Sequence, residues 1–354
     1  MPIETFHTVV IGAGQAGLAA AYYLQQHGVS FVVLDERETV GDVWATRFDA
    51  LQLFSPPWAS NLPGLSWPPG SPLRYPSKAE AAQYLQQYAA HFKLPVRLRQ
   101  RVTRLLVTSD SSEGFQIYTS DNQTYICKNA IICTGAYTAP HMPMFAAELA
   151  PTVVQLHSQA YRRPSQLLGI EAVAVVGSGN SALQIAADVA ATGRPVFVAY
   201  DENTPTLPNN NLMWALLKIT GMMNVSRHTA LGRRMLSRPD PVVSSDLTRL
   251  RQFSNAQFIG RALGVANETR LHGRQATTPP LEAVVWATGY APDYNWIEAP
   301  IFDAQGSPKH YRGLASVPGL AFLGLPWLNS RSSALMGGAG RDARYVVEQL
   351  LKRP

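Results

Sequence analysis

Two stretches of this 354-residue chain fit over each other in one register without a gap. The first runs Val9, Val10, Ile11, Gly12, Ala13, Gly14, Gln15, Ala16, Gly17 into an alanine-rich segment. The second runs Val173, Ala174, Val175, Val176, Gly177, Ser178, Gly179, Asn180, Ser181, Ala182. The overlay pairs Gly12 with Gly177, Gly14 with Gly179, Gly17 with Ala182, Gly28 with Gly193 and Asp35 with Tyr200. One G-x-G-x-x-G pattern is a weak signal, whereas two in the same strand, turn and helix context mark a duplicated βαβ unit.

Each turn has the requirements of a phosphate cradle. The first glycine makes the tight turn, the second lets backbone approach a pyrophosphate, and the third, Gly or Ala, lets helix and strand pack closely. The anion then rests on the unpaired N–H groups of a helix N-terminus. An acidic residue ending the next strand holds a ribose hydroxyl. Asp35 meets that requirement in the first copy, and Tyr200 stands there in the second. The reading is therefore an α/β fold with two unequal Rossmann-like dinucleotide sites.

Between the units the pattern changes. From Gly41 to Tyr75 the chain carries Pro56, Pro57, Pro63, Pro68, Pro69 and Pro72 with Trp44, Trp58 and Trp67. That is too much proline for interior helix or central strand, and suits a rigid aromatic loop covering a flat ring. Ser77 and Glu80 form a capping-box pair ahead of Ala81, Tyr84, Leu85, Tyr88, Ala89 and Phe92 at helical spacing. Strand signals at Val102 to Val107, Phe115 to Thr119 and Gln123 to Cys127, with turns at Asp110 to Gly114 and at Asp121 and Asn122, predict a small antiparallel meander. A separate buried strand, Ala130 to Cys133, ends in Thr134 and Gly135. Its echo is Val284, Val285, Trp286, Ala287, Thr288, Gly289, Tyr290, and both read as exits from a nucleotide unit at the ligand-binding edge. Gly319 to Gly324 predicts a closing strand. A glycine turn at Gly337, Gly338 and Gly340 leads to a last helix from about Asp342, whose N-terminus suits a cofactor carbonyl or phosphate. The expected division is 1–150 with 285–354 for one domain and 151–284 for the other. The fold of 201–280 is not legible.

Composition narrows the classes. Apolar residues make up 46% and charged residues 15%, as in a globular protein. The apolar N-terminus is broken by its glycines and lacks a basic leader, and no apolar run reaches membrane-spanning length, so a cytoplasmic protein is expected. Cys127 and Cys133 are neither a C-x-x-C redox pair nor spaced for a metal, and read as buried structural thiols. Residues 201–280 hold ten Lys and Arg against five Asp and Glu, nearly all of the net +6. No nucleic-acid motif accompanies that excess, so a solvated basic surface and no nucleic-acid, membrane or metal partner are expected. A homodimer is one assembly open to such a fold.

The residues resemble the class B flavoprotein monooxygenases, the group containing the flavin-containing monooxygenases, the plant indole-pyruvate monooxygenases and the Baeyer–Villiger enzymes. The resemblance is carried by Gly12 to Gly17, by Asp35 followed by Gly41, Asp42, Val43, Trp44, and by Asp49, Leu51, Leu53, Leu62 and Pro63. It continues through Tyr75, Pro76, Ser77, Lys78, then His157, Tyr161, Gly177 to Ser181, Ala287 to Tyr290, and Gly324 to Trp327. It covers nearly the whole chain and is weakest over 201–280. It implies FAD in the first cradle and NADH or NADPH in the second. Hydride reduces the flavin, O₂ forms a C4a-peroxyflavin, and one oxygen atom goes to a small organic substrate, by N- or S-oxidation or oxygenation of a carbonyl compound or keto acid. Carried over, Gly12, Gly14, Gln15, Ala16, Gly17, Asp35, Glu36, Val43, Trp44, Val102, Thr134 and Gly135 would contact FAD. Gly177, Ser178, Gly179, Asn180, Ser181, Tyr200, Thr288 and Gly289 would complete the nicotinamide side. No catalytic residue is assignable.

Three departures matter. The family fingerprint F-x-G-x-x-x-H-x-x-x-Y finds Pro151 and Val153 where it has Phe and Gly, leaving only His157 and Tyr161. Tyr200 precedes Asp201 and Glu202 where NADPH-selective members carry arginine, so NADH is expected to serve at least as well as NADPH unless Arg163 or Arg194 supplies the charge. Ser55 and Asn61 compete for the place of an asparagine near the flavin. Two other classes stay open: a flavoprotein dehydrogenase or oxidase that never oxygenates, and a flavin redox sensor without turnover.

Overall fold

The computed structural model describes residues 3–68, 74–108 and 114–352. The apolar run before the first glycine turn is strand β1 (Ile3–Ile11), buried over its last four residues. The chain turns at Gly12 into helix α1 (Gln15–Gln26) and returns through β2 (Phe31–Leu34), parallel to β1 with Val9 opposite Val32. Helix α2 (Lys78–His91) starts at the expected capping box: Ser77 N donates to Glu80 Oε2 at 2.8 Å, and Glu80 N donates to Ser77 Oγ at 3.3 Å. Its buried face is Ala81, Tyr84, Leu85 and Tyr88. Strands β3 (Val96–Arg97), β4 (Val102–Val107), β5 (Phe115–Thr119) and β6 (Thr124–Ile132) follow. Of the turn expected at Asp110 to Gly114, residues 110–113 lie outside the described residues, as do Pro69 and Pro72 of the loop.

The meander is present but is not a separate sheet. The two strands expected at Gln123 to Cys127 and Ala130 to Cys133 are one strand, β6, interrupted in the sequence only by the polar pair Lys128 and Asn129. One edge of β6 pairs with β1 along its length. The other edge forks, with Thr124–Cys127 antiparallel to β5 and Ala130–Ile132 parallel to a later strand. Periodicity reads the polar pair as a break, while the ladder on the β1 side carries the strand through it.

The second unit contains β7 (Val154–His157), β8 (Val173–Val176), α3 (Asn180–Ala190) and β9 (Val196–Ala199). Helices α4 (Asn211–Ile219), α5 (Ala230–Leu236) and α6 (Ser244–Arg251) occupy the stretch whose fold is not legible in the sequence. Strand β10 (Ala256–Phe258), the hairpin β11 (Ala262–Asn267) and β12 (Arg270–Gly273), and β13 (Ala283–Trp286) follow. The second sheet runs β10-β9-β8-β13-β7, every pair parallel. Its strands β8, β9 and β13 are buried at every residue, which is why they read as unbroken apolar runs. The boundary expected between 284 and 285 falls inside β13, and Val285 and Trp286 belong to this sheet.

The chain then returns to the first sheet, whose order is Ile297–Glu298, β4, β5, β6, β1, β2, β3. Strand β14 (Leu320–Phe322) is the partner on the forked edge of β6, and helix α7 (Met336–Leu351) packs on α1. The expected glycine turn before this helix is not a turn. Gly337, Gly338 and Gly340 lie inside α7, where a Cβ on Gly337 would come within 1.9 Å of Ala59 O and one on Gly338 within 1.9 Å of Ser332 O. Close packing against the proline loop and the segment before the helix demands these glycines. Among the described residues no helix is long and apolar enough to cross a membrane.

The returning segment carries a partly buried titratable group. His310 Nδ1 accepts from Gly313 N at 3.2 Å, and burial, with Arg227 and His228 nearby, lowers its pKa to about 4. The unfolded value is about 6.5, so between the two the unfolded chain binds the extra proton and stability falls as pH drops. After discount for partial exposure the expected loss from pH 7 to pH 4.5 is about 2 kcal/mol. Urea unfolding at the two pH values should show His310→Gln removing most of this difference.

Candidate active site

The first cradle is set by backbone packing. A Cβ on Gly17 would lie 1.8 Å from Gly12 O, so only glycine lets α1 leave the strand this tightly. A Cβ on Gly14 would meet nothing within 4 Å, because it faces open space. Gly14 is also the N-cap of α1 and brings no side chain to the first-turn amides. Asp35 closes the turn from the end of β2, its Oδ2 accepting from Ala13 N at 2.6 Å and its Oδ1 from Arg37 N at 2.9 Å.

These residues line a solvent-open cleft of about 2070 Å³. Gly12, Gly14, Gln15, Ala16, Asp35, Glu36, Val43, Val102, Thr134 and Gly135 all contribute to it. Gly17 supports the turn from behind. Trp44 is not in the wall, and its Nε1 is buried without a partner. Thr134 Oγ1 is likewise buried and unpaired. A glycine cradle that a Cβ would fill and an orphaned hydroxyl in the same cleft fit a dinucleotide such as FAD. Sequence reasoning missed Arg37, Gln100 and Arg101 in this wall. They stand in loops after β2 and before β4 with no motif to flag them.

The second cradle repeats the design with one reversal. A Cβ on Gly177 would lie 2.3 Å from Ala287 O, while one on Gly179 would face open space. Here the turn supplies the acceptor: Asp201 N donates to Ser178 Oγ at 2.9 Å. Asn180 Oδ1 accepts from Val243 N at 2.9 Å, anchoring the segment before α6 to this cradle. Ser181 follows in the first turn of α3.

Three more of the expected cofactor residues make contacts within the protein. Tyr200 is 4% exposed, with its ring edge-on to Phe258 at 6.4 Å, because the alternation that carries β9 turns this position into the core. Thr288 and Gly289, like Gly177, Ser178, Gly179 and Ser181, line neither the cleft nor the adjoining cavity. Thr288 Oγ1 donates to His141 O at 2.5 Å, and Gly289 O accepts from His141 N at 3.0 Å and His157 Nε2 at 2.9 Å. They knit together the two links between the sheets, where Ala139–Pro140 pairs with Tyr290–Ala291.

His157 belongs to this junction. Its Nδ1 accepts from Gln159 N at 3.1 Å, and its ring meets Tyr290 edge-on at 4.9 Å. Burial lowers its pKa, with Arg47 and His141 adding to the effect against the hydrogen bond to Gly289, so the ring is neutral with Nε2 donating. Arg47 Nη1 donates to Tyr290 OH at 2.7 Å, and Tyr161 OH donates to Asp188 Oδ2 at 2.9 Å. Arg163 and Arg194 take no part near Asp201, since Arg194 Nη1 donates to Leu167 O at 2.6 Å and Arg163 is the N-cap of a short helical turn.

A second, mainly apolar cavity, open to solvent on one side, adjoins the cleft. Tyr137 and Ala334 line both spaces, and Asn180 of the second cradle lines the cavity. Phe54, Met213, Trp214, Leu217 and Trp327 form its apolar wall. Its charges are paired, since Asp240 Oδ1 accepts from Arg331 Nε at 3.0 Å and from Trp327 Nε1 at 3.3 Å. The N-terminus of α7 opens beside Ala334 and Leu335, with no side-chain cap. Of the described residues of the proline loop only Val43 and Phe54 reach either space. Trp67 stacks on Tyr84 at 4.5 Å and Trp58 Nε1 donates to Asn211 Oδ1 at 3.1 Å, so the aromatics mainly pack the loop down. Ser55 pairs with Ser60, and Asn61 Oδ1 accepts from Trp67 N, so neither projects into the site.

Both cysteines are buried and free, and burial raises the Cys127 thiol to about 12 and the Cys133 thiol higher still.

The comparisons agree with this plan. The model of the pyridine nucleotide-disulphide oxidoreductase family matches residues 9–216. An uncharacterized oxidoreductase, CzcO-like, of Geobacillus kaustophilus (strain HTA426) is 37% identical over 97% of both chains. The indole-3-pyruvate monooxygenase YUCCA8 of Oryza sativa subsp. indica is 26% identical over 96% of this chain and 92% of its own. Among solved structures, a flavin-containing monooxygenase from Stenotrophomonas maltophilia superimposes with a TM-score of 0.79 at 28% identity, covering 99% of each chain. The chain therefore belongs to the pyridine nucleotide-disulphide oxidoreductase family, among its class B flavoprotein monooxygenase-like members.

Proposed function

We propose that this chain is an FAD-dependent, NAD(P)H-using monooxygenase acting on a small, uncharged, predominantly apolar molecule such as a thioether, tertiary amine or ketone. The observation that carries the reading is the apolar cavity joined to the first cleft at Tyr137 and Ala334 and to the second cradle at Asn180. A substrate there would sit where the two dinucleotides meet. Bound FAD would supply hydride acceptance and oxygen activation, chemistry that belongs to the cofactor.

The protein's share is to bind, orient and exclude water. Gly14 and the first-turn amides of α1 would take the FAD pyrophosphate, and Asp35 the adenosine ribose. The uncapped α7 N-terminus, next to Ala334 of the cleft wall, would favour negative charge on a group bound there. Phe54, Trp214, Leu217 and Trp327 keep the cavity apolar, which limits water near the reacting atoms. His157, held neutral between Gln159 N and Gly289 O, fixes the links between the sheets and moves no proton. Among the described residues the Arg331–Asp240 pair leaves no uncompensated cation in the cavity wall, which disfavours carboxylate substrates.

The test is NADH and NADPH oxidation by the yellow holoprotein under oxygen with aryl sulfides, tertiary amines, ketones and keto acids. Oxygenated product and hydrogen peroxide are counted separately. Product from the uncharged compounds supports the proposal. Peroxide alone with every compound would make the protein an oxidase, and absence of sustained NAD(P)H consumption would make it a sensor. Asp240→Asn frees the Arg331 guanidinium, and the KM for keto acids is expected to fall about tenfold, or about 1.4 kcal/mol.

A further inference from the structure

At the end of β9 the buried Tyr200 is followed by two carboxylates, Asp201 and Glu202, at the rim of the second cradle. The hydrogen bond from Asp201 N to Ser178 Oγ ties them directly to its glycine turn. Two guanidinium groups meet them there. Arg261 Nη1 lies 3.8 Å from Asp201 Oδ2, and Arg274 Nη1 lies 3.6 Å from Asp201 Oδ1 and 3.9 Å from Glu202 Oε1.

Both arginines come from the base of the β11–β12 hairpin, joined across it by a hydrogen bond from Arg274 N to Arg261 O at 2.9 Å. The hairpin base follows β10, the strand beside β9, so it lies at the carboxyl edge of the second sheet, where α/β folds take their ligands. A Cβ on Gly273 would come within 2.1 Å of Ile259 O, so this base is packed closely on the segment after β10.

The state of the donors matters most. The contacts to Asp201 and Glu202 are longer than hydrogen bonds, and among the described residues neither guanidinium side chain has a hydrogen-bond acceptor. The side chains are 64% and 43% exposed. Asp201 has its own support, with Oδ1 accepting from Asn203 N and Nδ2 at 3.1 Å each. Its carboxylate neutralises the arginines without saturating them. Two planar donor edges therefore stand beside the strand end, where the 2′ position of an adenosine ribose is read. A phosphate dianion matches such edges far better than a hydroxyl does.

We propose that Arg261 and Arg274 form a 2′-phosphate subsite, attended by Asp201 until a phosphate replaces it, so that this chain prefers NADPH over NADH. The inference rests on the reading of the second cradle as a nicotinamide-dinucleotide site. It reverses the expectation drawn from Tyr200, Asp201 and Glu202 alone, because the charge that these residues lack arrives from another element. On phosphate binding Asp201 keeps both Asn203 donors, and Glu202, 40% exposed, is free to rotate into water.

The experiment measures steady-state kcat/KM of the holoenzyme with NADPH and NADH, and binding of 2′,5′-ADP by calorimetry. The expected wild-type preference for NADPH is tenfold or more. Arg261→Ala and Arg274→Ala should each lower the NADPH/NADH ratio at least fivefold and weaken 2′,5′-ADP, whereas Asp201→Asn should raise the ratio. A wild-type ratio at or below one, or a ratio unmoved in both arginine variants, overturns the inference and leaves the second cradle's assignment standing. Failure of either dinucleotide to reduce the flavin overturns that assignment and this inference with it.

Discussion

Gly14→Ala is expected to fold as well as the natural chain and to lose its flavin, whereas Gly17→Ala, in the same turn, is expected to lose the fold. The two glycines face opposite ways. Gly14 has extended backbone, φ −74° and ψ −175°, and a Cβ there meets no protein atom within 4 Å. Alanine fits without strain and would even stabilise the chain slightly, by about 0.4–1 kcal/mol, through loss of unfolded-state freedom. The added methyl projects into the cradle, where the pyrophosphate must approach the backbone. An affinity loss on the order of 100-fold, about 2.7 kcal/mol, is expected. At Gly17 the same methyl would sit 1.8 Å from a backbone oxygen, and α1 would have to move off β1. The cost, about 3–5 kcal/mol, is a large part of a domain's stability. Flavin content of the purified variants and urea unfolding read the two effects separately. A Gly14→Ala protein that keeps full flavin would refute the cradle assignment.

Gly338→Ala is expected to destabilise the chain by about 3–5 kcal/mol although it is a helix-favouring substitution inside a helix. Intrinsic propensity favours alanine by about 1 kcal/mol. The contact opposes it more strongly, because the methyl would come within 1.9 Å of Ser332 O and 2.7 Å of Ser332 Cβ. Ser332 cannot yield cheaply, being nearly buried and hydrogen-bonded through Oγ to Asn224 Oδ1 at 2.8 Å. The strain would spread to Ala334 and Leu335 at the junction of cleft and cavity, so flavin retention should fall with stability. Thermal unfolding with and without added FAD measures both. A melting temperature equal to or above that of the natural chain would show that the segment before α7 moves aside easily.

Much of the architecture was legible because its signals are local. The glycines of each turn report a steric demand a few residues away, the Ser77–Glu80 box reports the start of α2, and the apolar runs of β8, β9 and β13 report burial on both faces. The misreadings had one source. Lys128 and Asn129 looked like a break because the pairing that carries β6 through them belongs to β1. Gly337 and Gly338 looked like a turn because Ala59 O and Ser332 O, which demand them, leave no mark in the sequence around them. The wall of the apolar cavity was invisible for the same reason, since Phe54, Trp214 and Trp327 come from three distant segments.

Two glycine cradles on one plan, the first with an aspartate at its strand end, are written in the amino-acid order alone. Backbone sterics and helix termini act over a few residues, so such a demand is written where it applies. Folding in three dimensions set what surrounds those cradles. It turned Tyr200 into the core, bound Thr288 and Gly289 into the links between the sheets, and brought Arg261 and Arg274 against Asp201. Coulombic and packing contacts depend on distance in space and not on spacing along the chain. The charge at the second cradle was therefore settled by where a hairpin folds.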